Sequence, residues 1–246
     1  MQYSLTGIDT HLDFGFGITA ESYYDSAEFL FDNKEQIKTL QQVEMPMTFL
    51  YRHSIELFLK SLIVIFHKRL KLPYDTEPFD SNNPKILTGG KWKDLYTCHW
   101  IDELYSYWLN ELLLKHKAEL ERIAPKGEWQ EETIISNFFP LIAGYDRDSS
   151  FFRYPITKNS TLDPKKYPMQ RIDLERLQEI FTNSSTQKSE KGAGVFMLLE
   201  NDEGEIVDGF EKSSNVLDNV IQALKKVSHY FYCIHIMTRV TLCNGH

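Results

Sequence analysis

The sequence predicts a mainly α protein, a helical bundle carrying a small β-hairpin insertion, and three observations carry that prediction. Residues 46–71 are apolar over most of a helical circumference. Segments 98–124 and 213–242 repeat apolar residues at spacings of three and four. Strand-like patterning is confined to one stretch, "VFMLLENDEGEIVDGF", where two short apolar runs flank Asn-Asp-Glu-Gly. With 246 residues the chain can bury a core without staples, and it contains no internal repeat, so it reads as a single domain over 1–246.

Taken in order, "AESYYDSAEFLFDN" (20–33) predicts a helix with acidic residues in its first turn, where they oppose the helix dipole. "KEQIKTLQQVE" continues in the same style until Pro46, whose missing N–H restarts the chain as the next helix, 46–71. Residues 72–96 gather prolines, Asn-Asn-Pro and Gly-Gly, which predicts a long loop, a lid or a partner surface. Thr97 is the expected cap of the following helix, which ends before Pro125. A further helix spans 128–145 with Pro140 inside it, and Asp173 is placed to cap a short one through Phe181. Residues 182–212 predict a polar flexible segment followed by the hairpin, after which Ser213 or Ser214 opens the last helix.

Composition narrows the function. A formal charge of −8 repels polyanions on average, so any nucleic-acid contact must be local. Three cysteines without a CxxC pair fit reduced, buried thiols, and the N-terminus lacks a basic region followed by an apolar run. Together these place the protein in the cytoplasm, with no membrane contact. P-loop, GxGxxG, GxSxG and HExxH motifs are missing, which removes support for the nucleotide, dinucleotide, hydrolase and zincin readings. His229 and Cys233 share a helix face, but core packing is the expected role of Tyr230, Phe231, Cys233 and Ile236, so neither a metal nor a cofactor is expected.

The informative feature is charge on the most apolar helix. With Arg52 at zero and about 100° per residue, Glu56 falls near 40°, His67 near 60°, Lys60 near 80° and His53 near 100°. This arc is either a solvated face with i,i+4 ion pairs or the lining of a cleft in which desolvated charges must be paired. A cleft requires matching groups from elsewhere. His99 and the run "DRDSSFFRYP", with Asp146, Arg147, Asp148 and Arg153, supply them. A second set, Lys91, Trp92 and Lys93 in "GGKWKD" with Lys165, Lys166 and Tyr167 in "DPKKYP", suits stacking on single-stranded RNA.

"FLYRHSIELFLKSL", "CHWIDELYSYW" and "DRDSSFFRYP" together resemble prokaryotic proteins of the HEPN superfamily, over residues 46–155 and through the last helix. The resemblance implies a helical bundle, often a homodimer, encoded in toxin-antitoxin or phage-defence loci. It also implies a metal-independent endoribonuclease with an RNA substrate and an antitoxin or defence-system partner protein. That superfamily's usual motif is an Arg followed by four to six residues and a His. The one such spacing here, Arg239 with His246, matches the number chance gives, about one, and carries no weight. Cleavage through the 2′-hydroxyl needs a proton acceptor or donor and positive charge for the phosphorane. His53 or His99 fits the first role, Arg52 or Arg153 the second, and Glu56 orients Arg52. Lys60, Lys91, Trp92, Lys93 and Arg147 are the expected RNA contacts. The competing expectation is a noncatalytic HEPN-like module that binds a partner protein, nucleotide or RNA; in a third, "RHSIELFLK" only fixes helix packing.

Overall fold

Helix formation begins with a cap the sequence does not advertise. Asp13 accepts the backbone N–H groups of Gly15 and Gly17 (3.3 and 2.8 Å), and Gly15 takes the left-handed conformation (φ 79°) that turns the chain into α1, Phe16–Asp32. The helix therefore starts earlier than residue 20 and has no acidic residue in its first turn. A computed structural model describes residues 5–37, 44–80, 82–167, 169–173, 175–176, 196–212 and 217–245. α1 buries Gly17, Ala20, Tyr24 and Ala27 at one-turn intervals, and the small Ala20 and Ala27 let it approach α2, Glu44–Leu70. α2 runs through the centre and packs most extensively on α1 and on the last helix, α6, Asp218–Thr241. Ser54 of α2 and Ser228 of α6 meet at 2.6 Å between hydroxyls, marking a close crossing. Lys71 ends α2 at φ 53° while Leu72 N–H returns to His67 O at 3.0 Å, a cap usually given to glycine.

The expected loop 72–96 is partly regular. β1, Lys85–Thr88, pairs antiparallel with β2, Lys91–Asp94, across Gly89 and Gly90, both at positive φ. The single helix expected after Thr97 is three pieces: α3, Ile101–Ser106, a π-helical stretch, Tyr107–Leu114, and α4, Lys117–Ile123. Thr97 is not its cap, because its hydroxyl donates to Asp94 O. Instead the Ile101 N–H donates to Arg147 O (3.0 Å), at the end of α5, Thr133–Asp146. Trp108 and Phe231 meet edge to face at 5.2 Å, and Tyr105 stacks on Phe139 at 3.7 Å, joining this region to α5 and α6.

A three-stranded antiparallel sheet, order β3-β5-β4, comprises β3, Met169–Arg171, β4, Phe196–Glu200, and β5, Ile206–Lys212. β4 is an edge strand whose five residues are all exposed. Asp173 accepts the Arg176 N–H as a cap would (2.8 Å), while residues 177–181, the polar stretch 182–195, Ser213, Ser214 and His246 lie outside the described residues. The chain is thus mainly α with two small antiparallel sheets. Among the described residues no helix is long and apolar enough to cross a membrane.

Candidate functional site

The charged arc of α2 faces neither solvent nor an open groove. Arg52 and Glu56 are fully buried and Lys60 nearly so, sealed beneath α3 and the end of α5. Arg52 uses four of its five N–H donors. Nε donates to Asp146 O (3.2 Å), Nη1 to Glu56 Oε2 (2.8 Å), and Nη2 to both His99 O (2.6 Å) and Arg147 O (3.2 Å). Three of those acceptors are main-chain carbonyls, two at the C-terminal end of α5, where a cation offsets the helix dipole. Arg52 is therefore a tie between α2, α5 and the entry to α3. The expected role of Arg52 as a phosphate-facing group is corrected, since it has neither exposure nor a free fork.

Glu56 sits at the hub. Oε1 accepts from Lys60 Nζ (3.0 Å) and lies 2.9 Å from His99 Nδ1, while Oε2 takes Arg52. Burial pushes the Glu56 carboxyl up, but the charges of Arg52 and Lys60 and the hydrogen bonds from Lys60 and His99 outweigh it and hold it at about 2. Lys60 also donates to Tyr96 O (3.2 Å), so it too is spent inside the protein rather than on RNA. His99 is the member that reaches the surface, with 43% of its side chain exposed. Since an ionised carboxylate only accepts, Nδ1 is the donor in this contact, and Nε2 takes no part in it. Glu56 orients His99 as well as Arg52, and the His99 carbonyl is pinned by Arg52, so imidazole and backbone are both fixed.

His53 stands apart from that dyad. It is half-buried, stacked on Phe49 (5.5 Å, 9° between planes) and edge-on to Tyr23 (4.7 Å), with Nδ1 buried and without a hydrogen-bond partner among the described residues. Burial, opposed by Glu56 but aided by Arg52, Lys60 and Arg153, lowers it to about 4, so it is neutral at pH 7. Exposed Arg153 lies 5.6 Å from the Phe49 ring and donates to Ser149 Oγ (3.3 Å). A depressed histidine binds its proton more readily in the unfolded chain, so stability falls between pH about 6.5 and about 4. The drop is about 3 kcal/mol, from about 2.5 units at 1.36 kcal/mol per unit. In His53→Gln this part of the pH dependence of urea unfolding is expected to disappear, while a slope below pH about 4.5, from Glu56, persists.

The expected RNA contacts divide. Trp92 turns inward against His67, Tyr74 and Tyr107, so it is no stacking platform. Lys91 and Lys93 are exposed, but the aromatic partner is Trp100, 37% exposed, with Lys93 Nζ 4.2 Å and the Arg147 guanidinium 5.4 Å from its ring centre. Arg147 is held by Asp102 (2.9 Å) and Glu103 (3.0 Å), which neutralise it. Lys166 is buried on Asp163 (2.8 Å). Trp100 directly follows His99, a position that could have flagged it in the sequence.

A second buried network escaped the sequence reading. Asp13 on the approach to α1 pairs with Arg239 of α6 and accepts from Ser61 of α2, and His235 lies between Arg239 (3.2 Å) and Glu21 (3.2 Å). A Cβ on Gly17 would collide with the His235 ring, so only glycine admits this contact. Arg239 is fully buried there. Among the described residues no three or more His, Cys, Asp or Glu side chains gather as a metal site. Comparison with protein-family models, curated proteins and solved structures gives no match.

Proposed function

We propose that the chain is a HEPN-like helical-bundle protein of a bacterial defence or toxin system that cleaves RNA without a metal, with His99 as its acid–base group. The observation that carries this reading is the Glu56–His99 pair, a buried ionised carboxylate holding a half-exposed imidazole at 2.9 Å. Such a pair sets the tautomer and stabilises the imidazolium formed when Nε2 accepts a proton. In this scheme His99 takes the proton of a 2′-hydroxyl and the 2′-oxygen attacks the adjacent phosphorus. The 5′-oxygen departs with a proton from the imidazolium, leaving a 2′,3′-cyclic phosphate. Lys93 and Trp100 beside His99 supply charge and an apolar plate for the strand.

The test is incubation of purified protein with mixed RNA in excess chelator. Cyclic-phosphate ends are expected, with a loss of about 10²–10⁴-fold in His99→Ala. Cleavage that requires a divalent ion, or that survives His99→Ala unchanged, removes the reading. The second reading is a noncatalytic HEPN-like module, dimeric in the cytoplasm, that binds a partner protein, nucleotide or RNA. The internal engagement of Arg52 and Arg147 favours it, because those cations are not offered to a phosphate. It predicts binding without cleavage at any protein concentration.

A further inference from the structure

At the C-terminal end of α2 a cavity of about 440 Å³ opens between the helix and the turn at 73–78, lined by His67, Lys68, Lys71, Pro73, Pro78 and Phe79. That volume lies in the range of small-molecule sites, ~300–1,000 Å³. Its walls are fixed. The Tyr74 and Glu77 backbones exchange hydrogen bonds (2.7 and 3.0 Å) across a tight turn that Pro73 and Pro78 bracket, and Tyr74 Oη accepts the Lys85 N–H (2.8 Å). His67 spends both ring nitrogens, on Leu72 O (3.0 Å) and Tyr107 Oη (2.8 Å), and the Phe79 ring stacks on it (5.6 Å, 21° between planes). The cavity therefore has a rigid aromatic wall, and none of its lining residues is acidic.

Two ammonium groups give that wall a sign. Lys68 Nζ covers the Phe14 ring (4.1 Å) and lies 6.0 Å from the centre of Phe79; it donates to Leu12 O (2.6 Å), one bond out of a capacity of three. Lys71, one turn on, is exposed and makes no hydrogen bond or ion pair among the described residues. Offsetting the dipole of α2 requires only charge in its last turn, which Lys68 and Arg69 already supply. It does not require a lysine at φ 53°, where glycine is the favoured residue. We infer that this cavity binds a small aromatic anion, its ring against Phe79 and its carboxylate or phosphate between Lys68 and Lys71. Charge complementarity selects the ligand, because a cation of the same shape would meet two ammonium groups and no lining acid. The site shares no residue with the Glu56–His99 pair and does not depend on RNA cleavage.

Calorimetric titration of the full chain with 1-naphthoate and with 1-naphthyl phosphate tests the site. 1-Naphthylmethylamine serves as the cation of matching shape, and acetate as a head group without a ring. At least one of the two acids is expected to saturate a single site per chain below about 1 mM, and the tighter of them identifies the head group; the amine and acetate should show no saturation. Lys71→Met should weaken binding about tenfold, the worth of a lost charge-assisted hydrogen bond. Lys71→Gly should weaken it equally while raising the urea midpoint, because glycine relieves the left-handed backbone, so the loss of ligand is separated from loss of fold. Phe79→Leu, which keeps an apolar wall without the ring, should weaken binding several-fold. Failure of both acids to saturate, binding of the amine as tight as that of the acids, or an affinity that Lys71→Met leaves unchanged overturns the inference.

Discussion

Replacing Arg52 with alanine is expected to lower stability by about 3–5 kcal/mol, the cost of breaking a buried ion pair by removing one partner. The substitution strands the carbonyls of His99 and Asp146, leaves Arg147 O with the Ile101 N–H alone, and takes the Arg52 guanidinium from Glu56 Oε2. An unsatisfied buried acceptor costs about 1–3 kcal/mol on its own. A domain with about 5–15 kcal/mol in total then sits close to its threshold, and the urea midpoint at pH 7 should drop accordingly. Arg52→Lys keeps the charge but not the fork, and should fall between the two. An Arg52→Ala midpoint near wild type would mean that α2, α3 and α5 are held by packing alone.

Asp13→Ala is expected to cost a comparable amount, about 3–5 kcal/mol, for a different combination of reasons. It removes the cap of α1, the acceptor of Ser61 and the carboxylate against Arg239 at once. Burial alone would raise the Asp13 carboxyl, but Arg239, Ser61 and His235 lower it below its ordinary value. Its stabilisation is therefore present above the ordinary carboxylate range and is lost as pH falls through the folded value. Asp13→Asn preserves an oxygen for the cap and isolates the charge. Combining Asp13→Asn with Arg239→Met in a double-mutant cycle should recover part of the loss, with a coupling above about 1 kcal/mol. Strict additivity of the two changes would deny the pair its role.

The course of α2 was legible in the sequence because Pro46 and the polar run after Leu70 bracket an unbroken apolar pattern. The residues of its charged arc were legible too. Their burial was not, since the carbonyls that satisfy Arg52 come from residues 94 and 95 positions away and carry no side-chain signal. Trp92 and Trp100 looked equivalent as aromatics. The Gly89–Gly90 turn decided between them, by fixing the strand that packs Trp92 inward. Asp13 and Arg239 stand at opposite ends of the chain, so no local pattern could pair them. Two ionisable residues, His235 and Arg239, on an otherwise apolar helix face were the available hint.

The Arg52 tie grips peptide oxygens, and that has a consequence for how this surface can diverge. Every residue type presents the same carbonyl, so positions 99 and 147 can exchange side chains while keeping the oxygens that Arg52 holds. Among related sequences, variation at those two sites alongside an invariant arginine would mark a frame whose chemistry is interchangeable and whose architecture is inherited whole.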